Sequence, residues 1–284
     1  MTIDPRIDEL LQRAQRMGED GDYDAMAEYL IETLADDPDD PYLLCWLGVA
    51  ERARGMEGVA YERFKQALAQ DPQDPLLLSV AGTGLADFDD PEAEVALRTG
   101  AILGAEIAET RWRYGAWLTR EGFLDEGLAE LIAAARLDPE DGIVAYELGV
   151  GYALKGVVGA AIDAIDRAAG MEGADEGWVR AILGLLLTEA DRMDEAVAEL
   201  DMAAQVRPDD PEVQVMVALA RAAEGDPDSA WEYLERARFR AEGADVILID
   251  EAEERINDGP DEAREFLRTT VAPSALRERL GVRP

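Results

Sequence analysis

The residues of this chain that could do chemistry are almost all carboxylates. Its 284 residues include 63 acidic side chains, one cysteine (Cys45) and no histidine. Without histidine the chain lacks the commonest general base and metal ligand, and one cysteine cannot build a thiolate zinc site. Neighbouring acids such as Glu253 and Glu254 arise by chance at this density, so we interpret them as a solvated surface rather than an acid–base pair.

Two short motifs look like ligand sites but fit helical structure better. The run Gly82-Thr83-Gly84 lies inside a predicted helix, where a phosphate-binding loop would not form. The acidic run at 36–40 lacks the alternating ligands and central glycine of a calcium loop, and capping of the next helix explains it. Cys45 lies in an apolar run and is expected to be buried or to line a groove. We therefore predict a protein that is not an enzyme and has no catalytic residue, metal or cofactor.

The charge of the chain restricts its partners. The formal net charge is −36, so the surface repels the phosphate backbone of nucleic acids and anionic lipids. No apolar run of about 18 residues could span a bilayer, and the segment 1–8 lacks the apolar core of a secretory signal. We expect a cytoplasmic protein without direct membrane insertion. Only two basic residues, Lys65 and Lys155, are lysines, which indicates either adaptation to high salt or a GC-rich genome.

Small side chains recur every 33 to 35 residues along the chain and indicate its helical elements. A second series follows twelve residues later. This period indicates stacked two-helix units, in which small residues let two helices approach closely. The first series is Gly48, Gly82, Gly115, Gly149, Gly184, Ala218 and Ala252, and the second is Ala60, Ala161, Ala196 and Ala230.

The turns between the predicted units support the same helices. Asp40, Asp74 and Asp210 each precede a proline, which places a capping acid before a proline at the first helical position. Proline also recurs near the end of second helices, at Pro72, Pro139 and Pro208.

The unit that begins at Pro41 resembles the tetratricopeptide repeat (TPR) through Leu44, Leu47, Gly48, Ala60, Phe64, Ala67 and Pro72. The resemblance implies an all-α, right-handed α-solenoid of about seven or eight antiparallel helix pairs. We expect a single solenoid over 1–284, with a degenerate first repeat at 7–38, central repeats at 41–242, a degenerate last repeat at 245–270, and a capping helix and tail at 271–284. The central units begin near residues 41, 75, 108, 142, 177 and 211. The unit from residue 75 is irregular, because Ala93 and Leu97 come one residue early.

In this family the first helices line a concave groove, and the resemblance implies an apolar and aromatic groove here. The aromatic residues could instead pack between units, and the arginines could hold a partner's acid or pair internally. The expected groove residues are Tyr42, Cys45, Val49, Trp112, Arg113, Ala116, Arg120, Tyr146, Val150, Trp178, Ala181 and Leu185.

These features predict a non-catalytic scaffold, adaptor or assembly factor that binds a partner peptide or helix in the groove. A clamp for the carboxylate tails of chaperones is disfavoured, because Cys45 and Val49 occupy positions where that clamp has lysine and asparagine. The alternatives are a self-associating structural subunit and a chaperone-like factor for envelope or cofactor-protein assembly. We expect a monomer, with self-association at high salt. The basic tail from residue 264 either packs on the acidic body or binds a partner.

Overall fold

A computed structural model describes residues 5–171, 173 and 175–282. These residues form helices joined by short turns and contain no strand, which confirms the predicted all-α solenoid architecture. The chain divides into two compact units, one ending at Leu137 and the other running from Asp138 to Val282. Residues 1–4 of the expected solenoid and residues 283–284 of the expected tail lie outside the described residues.

Unit 1 is a stack of helix pairs. Each helix packs closely on the next along the chain, and the first helices of successive pairs also touch one another. The short connections make the members of each pair antiparallel. The helices are α1 (Pro5–Glu19), α2 (Tyr23–Leu34), α3 (Pro41–Ala53), α4 (Glu57–Leu68), α5 (Pro75–Ala86), α6 (Glu92–Leu103), α7 (Ala108–Arg120) and α8 (Leu124–Leu137).

Unit 2 repeats this architecture and then departs from it at its end. Its paired helices are α9 (Gly142–Leu154), α10 (Val158–Ala169), α11 (Glu176–Glu189), α12 (Met193–Val206), α13 (Pro211–Ala223), α14 (Pro227–Arg240), α15 (Ala244–Asp258) and α16 (Pro260–Phe266). A π-helical segment (Leu267–Val271) leads directly into α17 (Ala272–Gly281). The π-helical segment contacts α13 and α11, and α17 contacts α11 and α9. The end of the chain therefore returns across the first helices of unit 2.

Aspartate caps begin the helices as the sequence predicts. Asp40 Oδ1 accepts hydrogen bonds from the backbone N–H groups of Tyr42 and Leu43, each at 2.9 Å. Asp74 caps α5 and Asp210 caps α13 in the same way, and a proline follows each of these acids. Because the first N–H groups of a helix have no partner within it, these caps fix where each first helix starts.

Close helix contact explains the small residues of the repeat. A Cβ atom added at Gly48 would lie 2.7 Å from Cε1 of Phe64 on the paired helix. At Gly184 it would lie 2.6 Å from Cγ of Leu200. Gly82, Gly115 and Gly149 have equally close neighbours, and Ala60, Ala161, Ala196, Ala218 and Ala230 are buried. By contrast, Pro72 is only half-buried, and Pro139 and Pro208 are exposed at the turns.

In the irregular unit from residue 75, the turn before α6 accommodates the one-residue offset. Asp89 adopts a left-handed backbone conformation with φ of 52°, and Asp90 Oδ1 accepts from the backbone N–H of Glu92 at 2.8 Å. Ala93 and Leu97 are buried, and Leu97 packs against Gly82 on α5. The one-residue offset therefore leaves the packing of this helix pair intact.

Candidate functional site: the inner faces of the two units

The inner face of unit 1 is the surface of α3, α5 and α7 that holds Tyr42, Val49, Leu76, Arg113 and Arg120. These side chains are partly or substantially exposed. Beneath them lies a floor of small polar side chains, Ser79, Thr83 and Thr119, which are buried. Each of these hydroxyls donates to a backbone carbonyl of its own helix, at 2.8, 3.0 and 2.9 Å. The floor therefore has its hydrogen bonds satisfied, and Thr83 also accepts a hydrogen bond from Arg113 above it.

Arg113 joins α7 to α5 on this face. Its Nε donates to Glu109 Oε1 at 3.0 Å, and its Nη1 donates to Thr83 Oγ1 at 3.4 Å. The guanidinium also lies over the Trp112 ring, 4.5 Å from the ring centroid. Trp112 is only 5 % exposed, so it lies under Arg113 and does not present its ring to a ligand. The expected aromatic anchor is in fact the support for an arginine.

Two further arginines lie along the inner helices of unit 1. Arg120 Nη1 donates to the backbone carbonyl of Ala116 at 3.2 Å, and Arg52 lies 3.6 Å from Asp87. Each guanidinium is held by the protein while remaining partly exposed. A guanidinium has five N–H donors, and an arginine can donate two parallel hydrogen bonds to a carboxylate.

Cys45 and Tyr42 differ in accessibility although both lie on α3. Cys45 is buried, with its Sγ 4.0 Å from the carbonyl oxygen of Leu77. Burial raises the pKa of the Cys45 thiol to about 12, so it stays protonated and unreactive near neutral pH. The Tyr42 hydroxyl donates to Asp74 Oδ2 at 3.5 Å, and burial together with this carboxylate raises the pKa of Tyr42. Tyr42 is the more accessible of the two.

The inner face of unit 2 is the surface of α9, α11 and α13 at the equivalent repeat positions. Five of its aliphatic and small side chains, at positions 5 and 9 of their repeats, are at most 1 % exposed. They share one hydrophobic core with apolar residues of the π-helical segment and α17. The expected groove is therefore filled here by the chain's own final helix. The buried residues of the face are Val150, Ala181, Leu185, Val215 and Leu219.

Trp178 lies where α17 meets this face. The Arg279 guanidinium from α17 stacks on its ring at 3.7 Å from the centroid, and Arg207 lies 5.1 Å from it. Arg279 also pairs with Glu212 on α13, with Nη2 2.5 Å from Oε2. Burial raises the pKa of Glu212, an effect that Arg279 opposes. One arginine thus ties α17 to both α11 and α13.

The basic tail packs on the acidic body at a second point. Arg264 on α16 donates to the backbone carbonyl of Ala223 on α13 at 3.3 Å. This contact and the Arg279–Glu212 pair take up two of the tail's arginines. Of the two roles that the sequence left open for the tail, packing on the body is the one present in this structure.

The structure divides the expected groove residues into two groups. Tyr42, Val49, Arg113 and Arg120 in unit 1, and Tyr146 and Trp178 in unit 2, are half-buried. The others are buried, so their side chains are not open to a ligand: Cys45, Trp112, Ala116, Val150, Ala181 and Leu185. The position of α17 on this face was not predicted from the sequence. The signal for it was the apolar stripe of Val271, Ala275, Leu276 and Leu280 beyond the last repeat.

Across 5–171, 173 and 175–282, no group of three or more histidine, cysteine or acidic side chains could hold a metal ion. In that part of the chain, no helix is both long enough and apolar enough to cross a bilayer.

Similarity to known proteins agrees with the geometry. The family model for the tetratricopeptide repeat matches residues 11–75 and 119–177. The Cut9–Hcn1 hetero-tetramer of the APC/C is similar over 84 % of this chain, with 18 % identity and a TM-score of 0.69. This chain spans only about half (48 %) of the matched Cut9–Hcn1 chain.

Two further structures match over more of their own length. A tetratricopeptide repeat protein from Parabacteroides merdae shares 14 % identity, with a TM-score of 0.58 over 87 % of this chain and 97 % of its own. The type IV pilus biogenesis factor PilW shares 15 % identity, with a TM-score of 0.55 over 87 % of this chain and 100 % of its own. No curated protein sequence matches the chain. At these identities the likeness concerns the fold alone.

Proposed function

Because this chain is a tetratricopeptide-repeat protein, we propose that it is a non-catalytic scaffold or adaptor that binds a partner's helix or extended peptide on its inner helices. The repeat fold supports a protein–protein interaction scaffold in general. One observation supports the more specific proposal: α17 already packs on α9 and α11 and reaches Glu212 of α13 through Arg279, so a first-helix surface of this chain can hold a helix.

In unit 1 the partner would meet a different surface. Tyr42, Val49 and Leu76 offer apolar contact area, and Arg113 and Arg120 offer cationic donors. The partner segment would therefore combine apolar side chains with acids, and the arginines would fix its register. Cys45 occupies a position where the carboxylate clamp of chaperone-binding repeats has a polar side chain, so a chaperone tail remains a disfavoured partner.

The net charge of the chain bears on its oligomeric state and on its partners. At −36 the protein is expected to be a monomer that avoids nucleic acids, and we propose a cytoplasmic location for it. Static light scattering at low and at molar KCl tests the monomer. A mass that doubles or grows at molar KCl would favour the self-associating subunit instead.

The main experiment compares variants of the inner and outer helices of unit 1. Tagged full-length protein would be purified from its native lysate at native ionic strength, and co-purifying proteins would be quantified by mass spectrometry. The inner-face variant is Tyr42→Ala with Arg120→Glu. The matched control is Arg98→Glu on α6, whose side chain is 63 % exposed. Circular dichroism would establish that both variants keep the helicity of the parent.

We expect one or a few proteins to be lost from the inner-face variant and retained by the Arg98→Glu control. The same partner set for parent, variant and control would contradict binding on the inner face of unit 1.

A further inference from the structure

We propose that α17 is an exchangeable occupant of the inner face of unit 2, and that a partner's amphipathic helix with the same chemistry displaces it. This inference rests on the proposed function, because it concerns what the inner helices bind. It adds the chemistry of the partner helix, and it states that α17 controls the access of that helix to the inner face of unit 2. The partner helix would carry an aliphatic stripe on one side and an arginine near its C-terminal end.

The first support is the apolar stripe on one side of the final helical run. Val271, Ala275, Leu276 and Leu280 are at most 5 % exposed. They follow one another at four, one and four residues, so they lie on one side of a helix. Arg277 on the other side is exposed. A helix of this kind, laid in an apolar groove, is one of the common ways in which proteins recognise peptides.

The second support is the polar contact near the end of α17. The Arg279 guanidinium lies between the Trp178 ring and the Glu212 carboxylate. Its Nε is buried and has no hydrogen-bond partner. A buried donor without an acceptor weakens the contact that contains it. The arginine therefore fixes the register of α17 on the face. A partner helix whose arginine has all its donors paired would bind the face more tightly than α17 does.

The third support is the way in which α17 is attached. The π-helical segment Leu267–Val271 joins α17 to α16. π-Helical turns are rare in proteins, and those that occur often lie at functional sites. With ten residues, α17 would be marginal as an isolated helix, so its helicity depends on the π-helical segment that it continues and on the face. An open crevice of about 470 Å³ runs beside it and is lined by Leu248, Ser274 and Glu278 among others. One flank of α17 is therefore accessible to a competing segment.

A purely structural end helix would behave differently from an exchangeable one. It would unfold only together with unit 2, and the vacated face would have no affinity for the same helix supplied in solution. The distinction is therefore whether the face binds a helix in trans once α17 is detached.

The test uses full-length protein and a fluorescent synthetic peptide of residues 260–282. Leu276→Asp with Leu280→Asp detaches α17 while leaving the residues of the face unchanged. Arg277→Asp changes an exposed residue on the opposite side of the same helix and serves as the control. Fluorescence anisotropy measures the Kd of the peptide for each form, and hydrogen exchange measures the protection of α17.

We expect α17 to lose protection in the detached variant, and the peptide to bind that variant at least tenfold more tightly than it binds the parent or the control. A peptide with Arg279→Glu should bind at least tenfold more weakly than the wild-type peptide. Equal peptide affinity for the parent and for a folded, unprotected variant would overturn the proposal.

If the double aspartate variant loses the helicity of unit 2 as a whole, the variant Arg279→Ala in the full-length protein tests the proposal instead. It removes only the contact with Trp178 and Glu212, and it should raise peptide affinity severalfold. No gain in affinity would overturn the proposal. The Tyr42 and Arg120 experiment on unit 1 remains an independent test of partner binding, so the two failures can be told apart.

Discussion

The inner faces of the two units have the same backbone architecture and opposite chemistry. In unit 1 the face is polar at its floor and carries Arg113 and Arg120 among partly exposed side chains. In unit 2 the face is aliphatic and bears the acid Glu212, and α17 supplies the arginine that pairs with it. A repeat therefore fixes where the inner helices lie, while the positions that do not pack a helix pair together remain free to select the ligand.

This difference also separates binding from stability. In unit 2 the inner face is part of the hydrophobic core, because α17 covers it. In unit 1 the equivalent of Leu185 on α3 is Val49, which remains partly exposed and so contributes less to the core. Substitutions at matched repeat positions should therefore have unequal costs in the two units.

The largest expected effect comes from position 9 of the repeat, which is Leu185 in unit 2 and Val49 in unit 1. Leu185 is 0 % exposed, and Leu185→Ala should lower the free energy of unfolding by about 2–5 kcal/mol because it leaves a cavity. Val49 is partly exposed, and Val49→Ala should cost about 1 kcal/mol or less. Urea unfolding of each full-length variant measures both. Equal costs would remove the distinction between a covered and an open inner face.

A smaller effect is expected at a feature that both units share, the close contact of a glycine with its paired helix. Gly48→Ala in unit 1 places a Cβ against the ring of Phe64, and Gly184→Ala in unit 2 places one against Leu200. Both should lower stability by about 1–3 kcal/mol through overpacking of the helix pair. Thermal unfolding measures the two variants side by side.

The matched controls are glycines of second helices that face open space. Gly58 in unit 1 and Gly159 in unit 2 have no neighbour within 4 Å of an added Cβ. Their substitution by alanine should raise stability by about 0.5–1 kcal/mol, because alanine favours the helix. A loss of stability at these control sites would show that the cost at Gly48 and Gly184 does not come from helix contact.

The contrast between these glycines shows which parts of the fold can be predicted from sequence. The helix pairs were predictable because Gly48 meets Phe64 and Gly184 meets Leu200 within one repeat, where spacing along the chain fixes the contact. The Asp40 cap was predictable for the same reason, since its hydrogen bonds reach only two and three residues ahead.

The candidate site was less predictable because its contacts are distant in sequence. Arg279 and Glu212 are 67 residues apart, and no repeat pattern links them. Trp112 stands at a groove position of the family, but a neighbouring side chain, Arg113, covers it. Exposure of a groove residue depends on such neighbours. The sequence therefore indicated the helices of the inner faces and not which of their side chains remain open.

A still smaller effect concerns the charge pair that holds α17. Burial raises the pKa of Glu212, and the pairing with Arg279 lowers it in part. Arg279→Gln should therefore raise this pKa further, as measured by carboxyl NMR titration. Because the folded state then binds the proton more tightly than the unfolded state, the contribution of Glu212 to stability is lost as the pH rises through the raised pKa. An unchanged or lowered pKa in Arg279→Gln would mean that Arg279 does not face Glu212 in solution.

The least perturbing test changes no residue and examines the floor of unit 1. Burial raises the pKa of Cys45 to about 12, although the nearby Arg113 opposes this shift, so hardly any thiolate is present at pH 8. An aromatic disulfide reagent should therefore react with the native thiol far more slowly than with the same thiol in urea. Rapid reaction in the native protein would place Cys45 in an open groove. The two inner faces would then differ in their occupant rather than in the packing of their floors.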